Sequence, residues 1–448
     1  MLILFFLFIS MVDGFHQPSV ATANGKNGSV SELSIEEKTY PLSQLQDDFR
    51  QFRKIIEKRH PKLYVDPQEL SDLFTAQYQL LRDQMTELEF YRVLSPLVAS
   101  LRCGHTNLTV SKAYEDYLRK NGKFFPALVR IINNRAYILQ DLSGQGIPQG
   151  AENLMINGKK TEEIISSLLP NLTADGDNTS KKYYLMNNWF NGLYHYYIDN
   201  ATRFSLVYRT EDGQIITKTL DGITNQQMQM TTMSIYYPRG NNLLTGSFAE
   251  DHALLSIKSF SLRNKEQYRA FIDHFFQELA DQKISHLILD LRDNWGGSPY
   301  YASYLLSYLI STPVQYFDDQ APFYYNKYKK PLKPASQRFT GQLYILINGA
   351  SFSTTGHLCS LLKAHGIGVF IGEESGGSYL CTDAAIKVTL RHTKLRLHCS
   401  TTPFATAVAD LPPGRGIIPD YRVTPALHDY LAGVDPQMHQ AIQLINLQ

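Results

Sequence analysis

Residues 284–297 read ISHLILDLRDNWGG, residues 343–362 LYILINGASFSTTGHLCSLL and residues 368–377 GVFIGEESGG. Each opens on a short apolar run and closes on a turn rich in Gly, Asn or Ser. The apolar runs are of strand length, and stretches of helical spacing separate them, around Tyr268–Leu279, Tyr300–Ile310 and Thr354–Ala364. Strands alternating with helices predict a parallel α/β sheet. The turn at Asn294, Gly296 and Gly297 offers backbone N–H groups that no side chain obstructs. The second turn places Ser351 and Ser353 at a helix N-terminus, where unpaired N–H groups and the helix dipole favour negative charge. A hydroxyl nucleophile beside donors for an oxyanion is the arrangement that acyl transfer requires.

Outward from this core, ALLSIKSF at 253–260 supplies an earlier strand, GRGIIPDYRV a late strand and PQMHQAIQLI a last helix. Residues from about 123 to 225 have a different character. FFPALVRIINNRAYILQDL is two β runs about an Asn-Asn-Arg turn, and ATRFSLVYRTEDGQIITKTL is a hairpin with Asp212-Gly213 at its tip. Between them a strand ends at Asn157-Gly158 and a helix starts at Thr161, while residues 171–200 follow no clear period. From about 38 to 118 the spacing is helical. Leu42, Leu45, Phe49, Phe52, Ile55 and Ile56 share a face up to His60-Pro61, and Thr86 with Glu89 forms a capping box opening a second helix. That helix ends at Cys103-Gly104, and His105 follows.

The chain of 448 residues, 43% of them hydrophobic, is long enough for two or three cores. Its 43 basic and 42 acidic residues leave a net charge of +1, which gives no electrostatic case for nucleic acid. The opening MLILFFLFISMVDG is too short to span a bilayer and reads as the apolar core of a secretory signal without a basic lead, so a secreted or periplasmic location is expected. No later segment has the length of a transmembrane helix. The four cysteines, Cys103, Cys359, Cys381 and Cys399, form no CxxC pair; Cys381 and Cys399 flank a predicted hairpin (AIKVTLRHTKLRLH), where a disulfide and two buried thiols are both open. No metal or cofactor is implied, since HExxH, GxGxxG and GxxxxGK[ST] are all missing.

Five phrases in order, LRCGHTNL, IPQGAENLMING, LILDLRDNWGG with NGASFSTTG, GVFIGEESGG and GRGIIPD, resemble the tail-specific or C-terminal processing serine peptidases, the S41 family. The resemblance implies a multi-domain α/β protein. Its expected parts are a signal peptide at 1–20, a lead-in at 21–37, an N-terminal helical domain at 38–118, a PDZ-like β-rich module at 119–225 and a catalytic α/β domain of the ClpP/crotonase-like type at 226–448. It also implies a polypeptide substrate. In the Ser–Lys branch of the family a lysine follows the GExTxGK phrase; here GEESGGS puts Ser378 at that position, and Lys387 lies in the next strand run. The tricorn-like branch uses the histidine of its GHT phrase, which is His105 here. Carried over, Ser353 is the nucleophile, His105 the general base, and the N–H of Thr354 with that of Gly296 or Gly297 the oxyanion hole.

Two features depart from the pattern. The tricorn-like glutamate three residues before the glycine of GxxPD (Gly416) is replaced by Pro413, which leaves Asp410 as the nearest upstream carboxylate to orient His105, with Asp420 inside the phrase. Cys103 stands where the family has aspartate. His357, one turn after Ser353 on the same helix, is a rival base whose side chain leans back along the helix axis. Three readings are therefore compared: an endopeptidase acting on extended or unfolded polypeptides, a catalytically weak or inactive peptide- or ligand-binding protein on the same scaffold, and an esterase of small acyl compounds.

Overall fold

A computed structural model describes residues 34–228 and 243–447. The expected signal segment and most of the lead-in lie outside the described residues. Among the described residues no helix is long and apolar enough to cross a membrane.

The C-terminal half is built on a six-stranded sheet. Its order is Leu244–Phe248, Ala253–Ile257, His286–Asp290, Gln342–Ile347, Val369–Gly372 and Tyr421–Arg422. The first pair is antiparallel and the others are parallel. Alternation along the strands sorts the side chains to two faces. Leu287, Leu289, Ile345 and Ile347 pack under helices Lys265–Asp281, Pro299–Ser307 and Thr354–Ala364. Ile288, Tyr344, Leu346 and Ile371 face the last helix, Pro436–Asn446. Coverage of both faces explains why these strands read as continuous apolar runs. Buried Asp290 accepts from Arg292 and Lys258, and Arg292 also bonds Asp435 at the start of the last helix. The ion network thus ties the sheet to its covering helix.

The central module is an antiparallel sheet ordered Ile215–Asp221, Arg203–Arg209, Glu152–Ile156, Arg135–Asp141, Ala127–Ile132. Asn133 and Asn134 both take positive φ in the predicted turn. Helix Thr161–Leu168 starts where expected. The unassigned stretch holds an 18-residue helix, Ser180–Tyr197, that deviates from helical geometry at Trp189. Its aromatic residues, on several faces, hid the period: Phe190 and Tyr194 enter the module's core, while Tyr196 and Tyr197 pack towards the N-terminal helices.

In the N-terminal segment, helices Leu42–Arg59, Pro67–Gln79, Glu87–Ala99 and Lys112–Asn121 enclose their own core. The Thr86–Glu89 capping box is present. The predicted hairpin (Ile386–Thr389 with Arg396–Cys399) is far in sequence from these helices, yet its Leu390, Leu395, Leu397 and Cys399 are buried in their core. Its second strand pairs with Asn107–Thr109, so the segment just after His105 is held in register by the C-terminal half. This also settles the cysteines. Cys381 lies opposite Phe404 in one ladder and Cys399 opposite Ile386 in another, and all four thiols are free and buried.

Candidate active site

The loop from Asn348 to Ser353 leads from the central strand into helix Thr354–Ala364. Ser351 is fully occupied: its Oγ donates to the carbonyl of Leu291 at 2.8 Å and accepts from the N–H of Asn348 at 3.1 Å. It braces the loop. Ser353 takes φ 54°, ψ −125°, a strained geometry for a residue with a Cβ, which costs about 1–3 kcal/mol and clusters at functional sites. Glycines crowd this turn from two sides. A Cβ at Gly296 would stand 2.8 Å from the Cβ of Ser353, and one at Gly377 2.7 Å from its N. Only glycine admits so close an approach.

His105 meets Ser353 across 248 residues of chain, with Nε2 3.0 Å from Oγ. The imidazole stacks on Phe352, centroids 4.5 Å apart and planes 29° apart. It is 1% exposed. Burial, then the nearby charge of Lys181, hold its pKa well below the usual histidine value, so the ring is neutral at neutral pH. For Nε2 to accept from the serine hydroxyl, the ring proton must sit on Nδ1.

Several expectations need correction here. Among the described residues nothing hydrogen-bonds Nδ1 of His105. Asp410 is exposed, at a positive φ of 64°, and is not brought to the histidine. Asp420 is spent on Lys363 and the N–H of Phe370. The N–H of Gly296 already donates to Asn294 Oδ1 at 2.9 Å, so it is not a free oxyanion donor. Gly297 and Thr354 stay adjacent, the Thr354 hydroxyl donating to the Gly297 carbonyl at 2.5 Å. His357 turns into the core, edge-on to Phe317 and at 60° to Phe404. Both of its ring nitrogens are unpartnered among the described residues. Burial pushes its pKa down to about 3. It is a core residue.

Cys103 is buried, its Sγ 2.8 Å from Thr382 Oγ1 and accepting from Thr106. Burial, then the Asp175 charge, push its thiol up, which removes it as a nucleophile. Ser378 is buried where the other branch has its lysine. A different lysine, Lys181, is buried beside His105, with its Nζ on the carbonyl of Gly104. Sequence reading missed it, along with Asp175 and Phe352. Asp175 and Lys181 belong to the stretch without a period, 70 and 76 residues after His105.

The model of "Peptidase family S41" matches residues 251–423. No sequence among the curated proteins matches the chain. Two solved structures of mature CPAF superpose with a TM-score of 0.67. The one complexed with lactacystin is 13% identical, covering 91% of this chain and 99% of that one. The other is 14% identical, covering 91% and 98%. At such identity the likeness is one of fold, and it runs through all three parts of the molecule. The family match spans both glycine turns, Ser353 and the GRGIIPD phrase. It is over this domain, residues 251–423, that the chain is similar to peptidase family S41.

Proposed function

We propose that the chain is a serine endopeptidase that cleaves extended or unfolded polypeptides through Ser353 and His105. The observation that carries the reading is the 3.0 Å contact between His105 Nε2 and Ser353 Oγ, made by a strained residue at a helix N-terminus. Ser353 Oγ attacks the scissile carbonyl while Nε2 takes its proton. The oxyanion forms between the N–H groups of Thr354 and Gly297. The tetrahedral intermediate collapses as Nε2 returns the proton to the leaving amine, and a water activated by the same nitrogen hydrolyses the acyl-enzyme. The β-rich module acts as a PDZ-like receptor that adds an extended chain to a sheet edge. The apolar lead residues would direct the protein to a secreted or periplasmic location.

One observation favours a second reading, a peptide-binding protein on this scaffold: Nδ1 of His105 meets no carboxylate among the described residues. Losing the orienting acid costs roughly 10⁴ in turnover in a Ser-His-Asp enzyme. A fluorophosphonate probe separates the two. Labelling of the wild type that is lost in Ser353→Ala and in His105→Ala supports the peptidase. A folded wild type that takes up no label, and cleaves no unfolded polypeptide, favours the binding protein.

A further inference from the structure

Among the described residues no carboxylate hydrogen-bonds His105, yet two buried charged side chains grip the residue before it. Asp175 Oδ1 accepts from the N–H of Gly104 at 2.6 Å, and Lys181 Nζ donates to the carbonyl of Gly104 at 3.0 Å. These bonds hold the two successive peptide groups that lead into His105. Asp175 is 6% exposed and Lys181 4%. Lys181 Nζ also lies 4.1 Å from the centroid of Phe352, the ring on which His105 stacks and the residue before the nucleophile. A Cβ at Gly104 would stand 2.7 Å from Phe352 and 2.8 Å from Lys181 Nζ, so the fit is close enough to require glycine.

The gripping segment is itself anchored. The N–H of Gly176 donates to the Arg102 carbonyl at 2.9 Å and that of Asp177 to the Gly414 carbonyl at 2.8 Å. Asn178 bonds the carbonyl of Ser375 at 2.7 Å and accepts from the N–H of Lys181 at 2.9 Å. Base loop, nucleophile turn and the loops after it are thereby referred to one short stretch, 175–181. Burying two charges carries a large desolvation penalty, and an apolar pair would fill the same space without it. What the charged pair supplies is a fixed hydrogen-bonded hold on a backbone and a cation beside the imidazole.

We propose that Asp175 and Lys181 are positioning residues that clamp the Gly104 peptides, and so aim the His105 ring at Ser353 in place of a carboxylate on Nδ1. The proposal rests on the reading of His105 as general base. The groups that face the clamp are few. Lys181 meets Asp175, Cys103 and Lys182, and Asp175 lies near Tyr64, Cys103 and Cys381. His105 is influenced by Lys181, His357 and His398. Burial pushes Asp175 up and Lys181 down, and their mutual attraction opposes both changes. Burial is the main cause that keeps His105 unprotonated and the cation adds to it, so removing the cation raises the histidine's pKa.

The test compares Lys181→Met, Lys181→Gln, Asp175→Ala and Asp175→Asn in the full chain, each checked for wild-type near-ultraviolet circular dichroism. Two quantities are read: the fluorophosphonate labelling rate against pH, and the His105 titration midpoint by ¹⁵N-imidazole NMR, assigned with His105→Asn. Asp175→Ala and Lys181→Met should label about tenfold or more slowly at pH 7, because an aim that drifts by a fraction of an ångström is enough to do so. Asp175→Asn and Lys181→Gln keep an acceptor and a donor for Gly104 and should stay within about threefold of wild type. In both lysine variants the His105 midpoint should rise, which loss of packing alone would not produce. Lys181→Met and Asp175→Ala labelling at the wild-type rate would overturn the clamp, as would an unmoved midpoint in Lys181→Gln. Failure of the base assignment has a different signature, since His105→Ala would then label like wild type. The NMR midpoint decides on the cation even in a protein that takes no label.

Discussion

Replacing Gly104 by alanine tests the geometry of the base loop with a single methyl group. The new Cβ would lie 2.7 and 2.9 Å from two ring carbons of Phe352 and 2.8 Å from Lys181 Nζ, where ordinary contact begins at 3.4 Å. Relief therefore requires a displacement of about 0.7 Å, the difference between 3.4 and 2.7. The ring cannot move freely, since Phe352 also packs on His105 and Trp295. Lys181 can withdraw only by lengthening its bond to the Gly104 carbonyl. The loop must give, and His105 moves with it. Overpacking of this kind costs about 1–3 kcal/mol in stability. A misplacement of 1 Å can cost about 10²-fold in rate, so 0.7 Å should slow labelling of Ser353 roughly 10- to 100-fold. The assay is the second-order rate of fluorophosphonate labelling, read beside a urea unfolding curve. A variant that loses stability as expected but labels at the wild-type rate would refute the link between this loop and the position of the imidazole.

Three further outcomes follow from the same coordinates. Burial holds His357 at about 3, so the unfolded chain binds a proton below pH 6.5 that the folded one does not. Its contribution is whole above pH 6.5 and is lost as the pH falls, at about 1.4 kcal/mol per pH unit, or about 2 kcal/mol by pH 5. His357→Leu should flatten the pH dependence of unfolding by that amount, and equal slopes in variant and wild type would contradict the assignment. Burial pushes the Asp290 carboxyl up, but the Arg292 and Lys258 charges override it and hold it at about 2. Arg292→Ala should therefore cost about 3 kcal/mol by urea denaturation, since it leaves a buried carboxylate with one partner; a loss below about 1 kcal/mol would show the network to be energetically idle. Because burial and Lys181 keep His105 deprotonated, the acid limb of the labelling profile should lie below pH 6.5, and a limb above that value would mean another group is titrating.

The legible parts of the molecule are those in which a local cause suffices. Thr86 and Glu89 cap a helix through their own two bonds, and Asn133 and Asn134 turn a hairpin because asparagine tolerates positive φ. The sheet strands were readable because burial on both faces makes each of them apolar throughout. Helix Ser180–Tyr197 was not, since it serves two cores and shows no single apolar stripe. The pairing of hairpin 386–399 with the strand after His105 was equally hidden. Register between segments nearly 300 residues apart leaves no mark in either one.

By itself, the order of residues determined the parallel α/β core, the two glycine turns, the serine at a helix start and, through its phrases, the resemblance to the S41 family that residues 251–423 bear out. Those are properties of contiguous segments. Tertiary structure alone decided that His105 meets Ser353 and that His357, although one turn away, does not. It also decided that Gly296 spends its N–H on Asn294, that Asp410 faces solvent, and that Asp175 and Lys181 take hold of Gly104. Each of these is a distance of a few ångströms between groups that the chain holds apart, and it is fixed by how whole elements pack rather than by the residues on either side.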